Sequence, residues 1–384
     1  MNPFDVFFRD DILVSSRLFI GADVLCGIGI LAALVSMLFH ARPSKDGTRP
    51  GWVAYGPILF TTLATATIAT AVGFRWVEVN HFPSQTMSEV LGMFTLALGV
   101  AMLVLWYALG LRKRGHGWAI VEDVLIVLVL VGIVFTHAHV RTLATAQRDL
   151  PPALQSWWFA PHLACLIFSY ATMGIAALIA LVYFVTRFWS GVYRGGQSWQ
   201  SQAFILAGLV LIPFAHLVTI PLLVISAVVF AGLMALNRVP GADTVVRLEK
   251  ELDDVSFRAF AVGFPFLTAG LWQGAFWAQE AWANYWGWDS KENSALITWL
   301  VYVIYIHLRL LGGYRGAKAM GALVAGALSV FLTFQVFGYL PDSQKSLHRY
   351  TDDGVEPQEG QQGPVPAQQQ AKAESGGAST AEER

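Results

Sequence analysis

Trp277-Ala-Gln-Glu-Ala-Trp282-Ala-Asn-Tyr285-Trp286-Gly-Trp288-Asp289-Ser-Lys291-Glu292 is the stretch on which the reading of this chain turns. Residues 277–289 hold four tryptophans, a tyrosine and an aspartate. An apolar run lies on each side, at 258–279 and 293–311, and a membrane span needs about 20 apolar residues. The segment therefore reads as a connection between two spans, at a membrane surface. Tryptophan and tyrosine prefer the headgroup level, so an interfacial belt is one reading. A belt accounts for one or two tryptophans per helix end. Trp282, Trp286 and Trp288 beside Asp289, Lys291 and Glu292 fit a second reading, a platform for a planar ligand, because aromatic faces offer area and defined geometry.

The rest of the chain agrees with a membrane setting. Of 384 residues, 55% are hydrophobic and 13% charged, against about 25% charged in soluble domains. Mean hydropathy is +0.53. The net charge of −1 leaves no nucleic-acid footprint. Cys26 and Cys165 both sit in apolar runs and form neither a Cys-x-x-Cys nor a Cys-x-x-Cys-His motif, which excludes a covalent heme or a zinc site of the chain's own. No cleavable signal peptide is expected, since Asp5, Arg9, Asp10 and Asp11 precede a first apolar run of full span length.

Further spans are predicted at 18–40, 52–74, 86–110, 118–137, 163–187 and 319–339. Residues 202–237 are apolar, are broken by Pro213 and Pro221, and are long for one helix and short for two. The connections 41–51, 111–117, 188–201, 238–257 and 312–318 are short and basic, whereas 75–85, 138–162 and 280–292 carry few positive charges and several aromatics. The positive-inside rule puts the first set in the cytoplasm. Both flanks of 202–237 then lie on one side, which requires an even number of crossings. The expected fold is an all-α polytopic bundle of about ten transmembrane helices, with 202–237 a hairpin turning near His216–Pro221. Eight spans plus a re-entrant piece is the alternative. An external segment 1–17, a membrane-embedded domain 18–350 with its external tryptophan loop at 277–292, and an external tail 351–384 complete the organisation. The tail is rich in Gln, Gly, Ala, Glu and Pro and is expected to be disordered.

With the spans in place, the pattern Trp-Ala-x-Glu-Ala-Trp-x-x-Tyr-Trp-x-Trp-Asp-x-Lys-Glu, followed by Trp299, Tyr302 and Ile306-His307-Leu-Arg309, resembles the tryptophan-rich WWD signature of heme-handling proteins. Among these it most resembles the CcsA (ResC) family of System II cytochrome c biogenesis. Arg75-Trp76, His81-Phe82-Pro83 and Glu89 are similar to that family's N-terminal stretch. Pro161-His162 and Leu347-His348-Arg349-Tyr350 are similar to the segments carrying its two external histidines. The resemblance runs from about residue 75 to 350. It departs at Ser290, where the family usually has Pro, at Ser84-Gln85-Thr86, and in the apolar insert 202–237.

Nine histidines occur. His40 and His116 read as solvated residues at the cytoplasmic face, His216 as structural, and His137 and His139 as outer-end residues with either a structural or a cavity-lining role. His162 and His348 fall at outer ends of spans in a topology built without them, on either side of the tryptophan segment. Neutral imidazole is a standard axial ligand of heme iron. The resemblance implies that these two hold heme b over an aromatic shelf of Trp277, Trp282, Tyr285, Trp286 and Trp288. It also implies that His307, inside a span, ligates heme on its way from the cytoplasm, with the opposing ligand supplied by a CcsB (ResB)-type partner. An ionisable residue within a span is costly and by default a functional candidate, the alternative being a hydrogen bond to a neighbouring helix. Lys291 is a candidate partner of a heme propionate. Asp289 suits loop amides better, since it would repel one. Arg75 and Glu89 take either a structural or a functional role.

The activity so implied is attachment of heme to the Cys-x-x-Cys-His segment of apocytochrome c (a holocytochrome c synthase, or heme lyase). The setting implied is the bacterial cytoplasmic membrane, or the thylakoid membrane for a plastid-type chain. Three alternatives stay open: heme delivery without ligation, as in CcmC-like proteins; a CcmF- or NrfE-like subunit, although those chains are much longer; and a non-heme transporter, for which Pro213 and Pro221 are the only hint.

Overall fold

The structure, a computed structural model, is described here for residues 13–40, 51–108, 118–143, 152–195, 198–211, 215–235 and 239–335. Ten α-helices and one short 3₁₀ turn occupy the described residues, which contain no strand. They are α1 (Val14–His40), α2 (Gly51–Val79), α3 (Met87–Tyr107), α4 (Trp118–Val140), α5 (Phe159–Arg194), α6 (Ser198–Leu211), α7 (Ala215–Ala235), α8 (Ala242–Trp282), α9 (Ser290–Leu310) and α10 (Ala317–Gln335). Seven of them, α1 to α5, α8 and α9, are long and apolar enough to cross a membrane. The chain is thus a polytopic helical bundle. In lipid, backbone groups have no water to bond to, and a helix satisfies them internally.

Each expected span corresponds to a helix. The run 202–237 is two helices, α6 and α7, packed against each other. The first ends at Leu211 and the second runs from Ala215, so the stretch His216–Pro221, where the sequence suggested the turn, is helical. Pro213 lies outside the described residues. Pro221 is instead accommodated within α7, as membrane helices allow.

A second difference concerns 238–257, read above as a basic loop. From Ala242 onward it is the first part of α8, a helix of 41 residues. Val245, Leu252, Val255 and Ala259 are buried there, at helical spacing along one face, while charged residues occupy the others. Such a stripe makes a helix without high hydropathy. Arg187 of α5 reaches Glu249 at 3.2 Å across this extension.

The most extensive packing is between α5 and α8. It depends on backbone approach. A Cβ at Gly263 would lie 2.2 Å from Thr172 Oγ1, and one at Gly270 would lie 2.7 Å from Leu166 Cδ2. Helices in lipid gain little from burying apolar area against each other, so close packing over small residues carries the association. Around this pair, α1 to α4 form one group that touches α5 mainly through α3 and also through α4, while α10 packs on α5 and supports α9.

Three polar clusters tie the bundle together. Glu89 accepts from Arg75 Nη2 at 2.9 Å and from the Gln85 amide at 3.0 Å, and it closes a capping box with Thr86 at the start of α3. The Arg75 and Glu89 of the His-Phe-Pro stretch therefore bind α2 to α3. His137 is buried between Asp23 (2.6 Å) and Thr95 (2.9 Å), with both ring nitrogens engaged. At the opposite end Arg309, 1% exposed, reaches Asp253 Oδ1 at 2.7 Å and covers the Phe257 ring at 4.9 Å.

Candidate functional site

His162 is the fourth residue of α5, and the glycines of α8 decide its setting. Its Nδ1 lies 2.7 Å from the Gly270 carbonyl oxygen. A carbonyl can only accept, so Nδ1 carries the proton and the lone pair of the neutral ring is on Nε2. That is the arrangement of most metal-binding histidines, whose second nitrogen donates to a carbonyl or carboxylate. One turn further on, Gly274 leaves the space the ring occupies, for a Cβ there would stand 2.7 Å from His162 Cε1. Gly270 and Gly274 form a Gly-x-x-x-Gly pair, a signal of close helix approach that the sequence reading above did not use.

The imidazole stacks on Trp277, centroids 5.6 Å apart at 28°. Trp277 is 4% exposed, and its indole N–H donates to the Ala153 carbonyl at 2.7 Å. Ser156 adds a bond to Glu280 at 2.6 Å, so the segment entering α5 is fastened to the end of α8. From Trp277 the rings continue to Trp282 at 4.8 Å and Phe159 at 4.9 Å. On the other flank Trp158, Phe276 and Tyr285 follow one another at 4.9 and 6.4 Å. Trp158, Phe159 and Phe276 were not foreseen as members of this array. Their signal was the aromatic density of Trp157-Trp158-Phe159 ahead of Pro161-His162 and of Phe276 beside Trp277.

Of residues 277–292, only 283–289 lie outside helices. Trp277 and Trp282 belong to α8, and Ala283 ends it in a left-handed conformation, φ 57°. Asp289 is the N-cap of α9. Its Oδ1 accepts from the Glu292 amide at 2.8 Å, while Glu292 Oε2 accepts from the amides of Gly287 (2.8 Å) and Asp289 (3.3 Å). The pair is a capping box readable in the sequence as Asp-x-x-Glu. Ser290 takes the first helical position, one that also suits proline, which explains why the departure there is mild. Lys291 is half-buried in the first turn, beside Asp289.

Between these anchors Trp286 and Trp288 sit edge to face at 6.1 Å. Trp288 is 70% exposed and has φ 59°. A bulky residue in that region is strained, and such strain persists where surroundings enforce it, often at ligand sites. Here Asn293 Nδ2 donates to the Trp288 carbonyl at 2.8 Å, and the Glu292 carboxylate holds the amides on either side. Tyr285 is also largely exposed. The buried Trp286 Nε1 has no hydrogen-bond partner among the described residues.

His307 is elsewhere. It lies near the far end of α9, 17 residues beyond Ser290, which is roughly 26 Å along a helix. Its Nδ1 lies 2.7 Å from the Val303 carbonyl, again leaving the lone pair on Nε2. The ring is on the outward face of α9, with exposed Ile297, Leu300, Ile304 and Leu311. Arg309, almost opposite on the helix, points into the bundle. The structure thus gathers His162, Trp277, Trp282 and Tyr285 at one end and keeps His307 apart. His348 and His116 lie outside the described residues, as do the side chains of His40 and His216.

Comparison with known proteins places residues 87–341 in the family described as cytochrome c assembly protein. The chain is 31% identical over 306 residues to the cytochrome c biogenesis protein CcsA of Microcystis aeruginosa, covering 75% of this chain and 85% of that protein. It is 30% identical over 341 residues to the protein of the same name from Picosynechococcus, covering 85% and 96%. For the Gloeothece citriformis relative, also a cytochrome c biogenesis protein CcsA, identity is 32% over 315 residues.

Proposed function

The chain belongs to the cytochrome c assembly protein family and takes part in cytochrome c biogenesis, and we propose that within that process it receives heme b and presents it for attachment to apocytochrome c. The observation that carries the proposal is His162. Its tautomer puts the ring's lone pair on Nε2, its ring is stacked on Trp277, and the file of rings on its flank runs out to the exposed Tyr285. An apolar porphyrin with one polar metal at its centre needs such a surface: ring faces for the macrocycle and a neutral imidazole for iron.

In this reading His162 supplies one axial ligand and His348 the other. Trp277, Trp282, Tyr285, Trp286 and Trp288 support the macrocycle, and Asp289, through Glu292, holds the loop in shape. Lys291 pairs with a propionate. His307 serves an earlier position in the membrane, its second ligand coming from a CcsB-type partner that packs on the outward face of α9. The chemistry at the outer site is addition of two apocytochrome thiols across the two heme vinyl groups. Each sulfur bonds one vinyl carbon, each thiol hydrogen is gained by the other, and no net oxidation occurs. The protein's contribution is orientation, which is worth roughly 7–11 kcal/mol when reactants are well placed, and exclusion of water by the aromatic walls.

The test is absorption spectroscopy of detergent-purified protein, co-expressed with a CcsB-type partner, with pyridine hemochrome analysis. A bis-histidine b-type spectrum that collapses in His162→Ala and returns with added imidazole is expected. Unchanged heme content in His162→Ala would sink the assignment. Thioether attachment is read separately, from covalent heme on a co-expressed cytochrome.

A further inference from the structure

The cleft between α4, α5, α7 and the beginning of α8 belongs to no part of the site described above. It encloses about 180 Å³. On α5 it is bordered by Val182, Val185, Thr186, Trp189, Ser190 and Arg194, one helix face from the middle of the span to its last residue. Those 12 steps make a trough roughly 18 Å long at 1.5 Å per residue. The facing side of α7 is equally aliphatic, and Trp189 pins the two helices through a 3.0 Å bond to Ser226 and a stacked contact with Phe230 at 5.1 Å.

The lining has a direction. Aliphatic side chains fill the deep part, and Arg194 stands at the end where α5 stops and α8 starts. One of its N–H groups goes to the Pro240 carbonyl at 2.5 Å, and a guanidinium has five, so donors remain for an anion. An apolar cavity does not retain water, and inside a bilayer the apolar groups that compete for it are acyl chains. None of the lining residues is a histidine, cysteine, methionine or tyrosine, so the trough offers no axial ligand to iron, unlike the two histidine positions.

We propose that this trough is a binding site for an anionic phospholipid, one acyl chain lying between α5 and α7 and the phosphate meeting Arg194. The sequence puts the basic connections at this same end of the bundle, where a leaflet rich in anionic lipid would face them. The site does not depend on heme, and its occupant would seal the α6–α7 hairpin to the bundle.

The experiment uses the full-length protein, delipidated in detergent and titrated with phosphatidylglycerol, phosphatidylcholine or oleate by native mass spectrometry. Wild type is expected to retain one phosphatidylglycerol in preference to phosphatidylcholine. Val229→Phe, which fills the trough, should lose that adduct by about tenfold. Arg194→Gln should still take acyl chains but lose the anionic preference by about fivefold. Helicity and thermal midpoint verify that both variants fold; if Val229→Phe does not, Val185→Leu is the milder filling variant. Equal retention in wild type and a folded trough-filled variant would overturn the site. Binding of oleate with exclusion of phosphatidylglycerol would overturn the phospholipid.

Discussion

Replacing Gly274 by alanine tests whether the His162 ring is held where α8 puts it. The added Cβ would stand 2.7 Å from Cε1 and 2.8 Å from Nδ1. Ordinary contact is about 3.5–4.0 Å, so the ring must retreat by roughly 1 Å. A retreat of that size breaks the 2.7 Å bond to Gly270, since hydrogen bonds of this type end near 3.2 Å. Overpacking of this kind costs about 1–3 kcal/mol of stability. Loss of the group that orients a ligand histidine weakens metal binding by about 10–100-fold. The matched control is Gly132→Ala, where a Cβ would meet nothing within 4 Å. Heme titration of the two purified variants, read by the Soret band, should separate them by at least tenfold, with the midpoint lowered only in Gly274→Ala. If both bind heme with one affinity and one spectrum, the line of reasoning from Gly274 through the His162 ring to iron is refuted.

Other perturbations have distinct signatures. Trp288→Gly removes a residue with positive φ and should raise the thermal midpoint, since such strain costs about 1–3 kcal/mol, while heme retention falls; a fall in both would refute the strain. Glu292→Ala removes the acceptor shared by the Gly287 and Asp289 amides. It should cost about 1 kcal/mol as a lost cap and speed proteolysis within 283–289. Arg309→Met leaves Asp253 buried and uncompensated, and should cost about 3–5 kcal/mol. The double variant with Asp253→Leu should recover much of that, and failure to recover would show that the pair is not what joins α8 and α9. His307→Ala should leave the outer-site spectrum intact, as roughly 26 Å of helix predicts.

The helices and the aromatic cluster were legible because hydrophobic length and residue type are local properties. The edges were less so. The stretch 242–257 reads as a loop in the sequence because Glu249, Lys250, Glu251, Asp253 and Asp254 lower its hydropathy, yet its buried face repeats at helical spacing and packs on α5. Hydropathy marks where a helix enters lipid, not where it ends. Charge parity predicts the hairpin, and proline read as a breaker puts its turn near His216–Pro221, whereas α7 holds Pro221. At the candidate site, His162 was found through its place at a span end and through resemblance. What fixes it, the carbonyl of Gly270 and the space at Gly274, is a tertiary relation 108 residues away. Asp289 and Glu292 were visible as residues; their joint service to the loop amides follows from the cap they form.

Gly263, Gly270 and Gly274 also bear on how this chain can change in length. They face α5 together because steps of seven and four residues return to nearly the same side of a helix. Adding or deleting one residue among them would swing everything beyond it by about 100°, lifting the glycines off α5 and carrying Trp277 away from His162. Substitution on the far side of that segment is cheap by comparison, and insertions belong beyond the ends of the pair. The hairpin 202–237, the one stretch unexpected in such a protein, leaves the chain just after α5 ends and returns it before α8 begins. Among homologues, gaps should cluster there and be missing between 263 and 277, whatever the drift in residue identity.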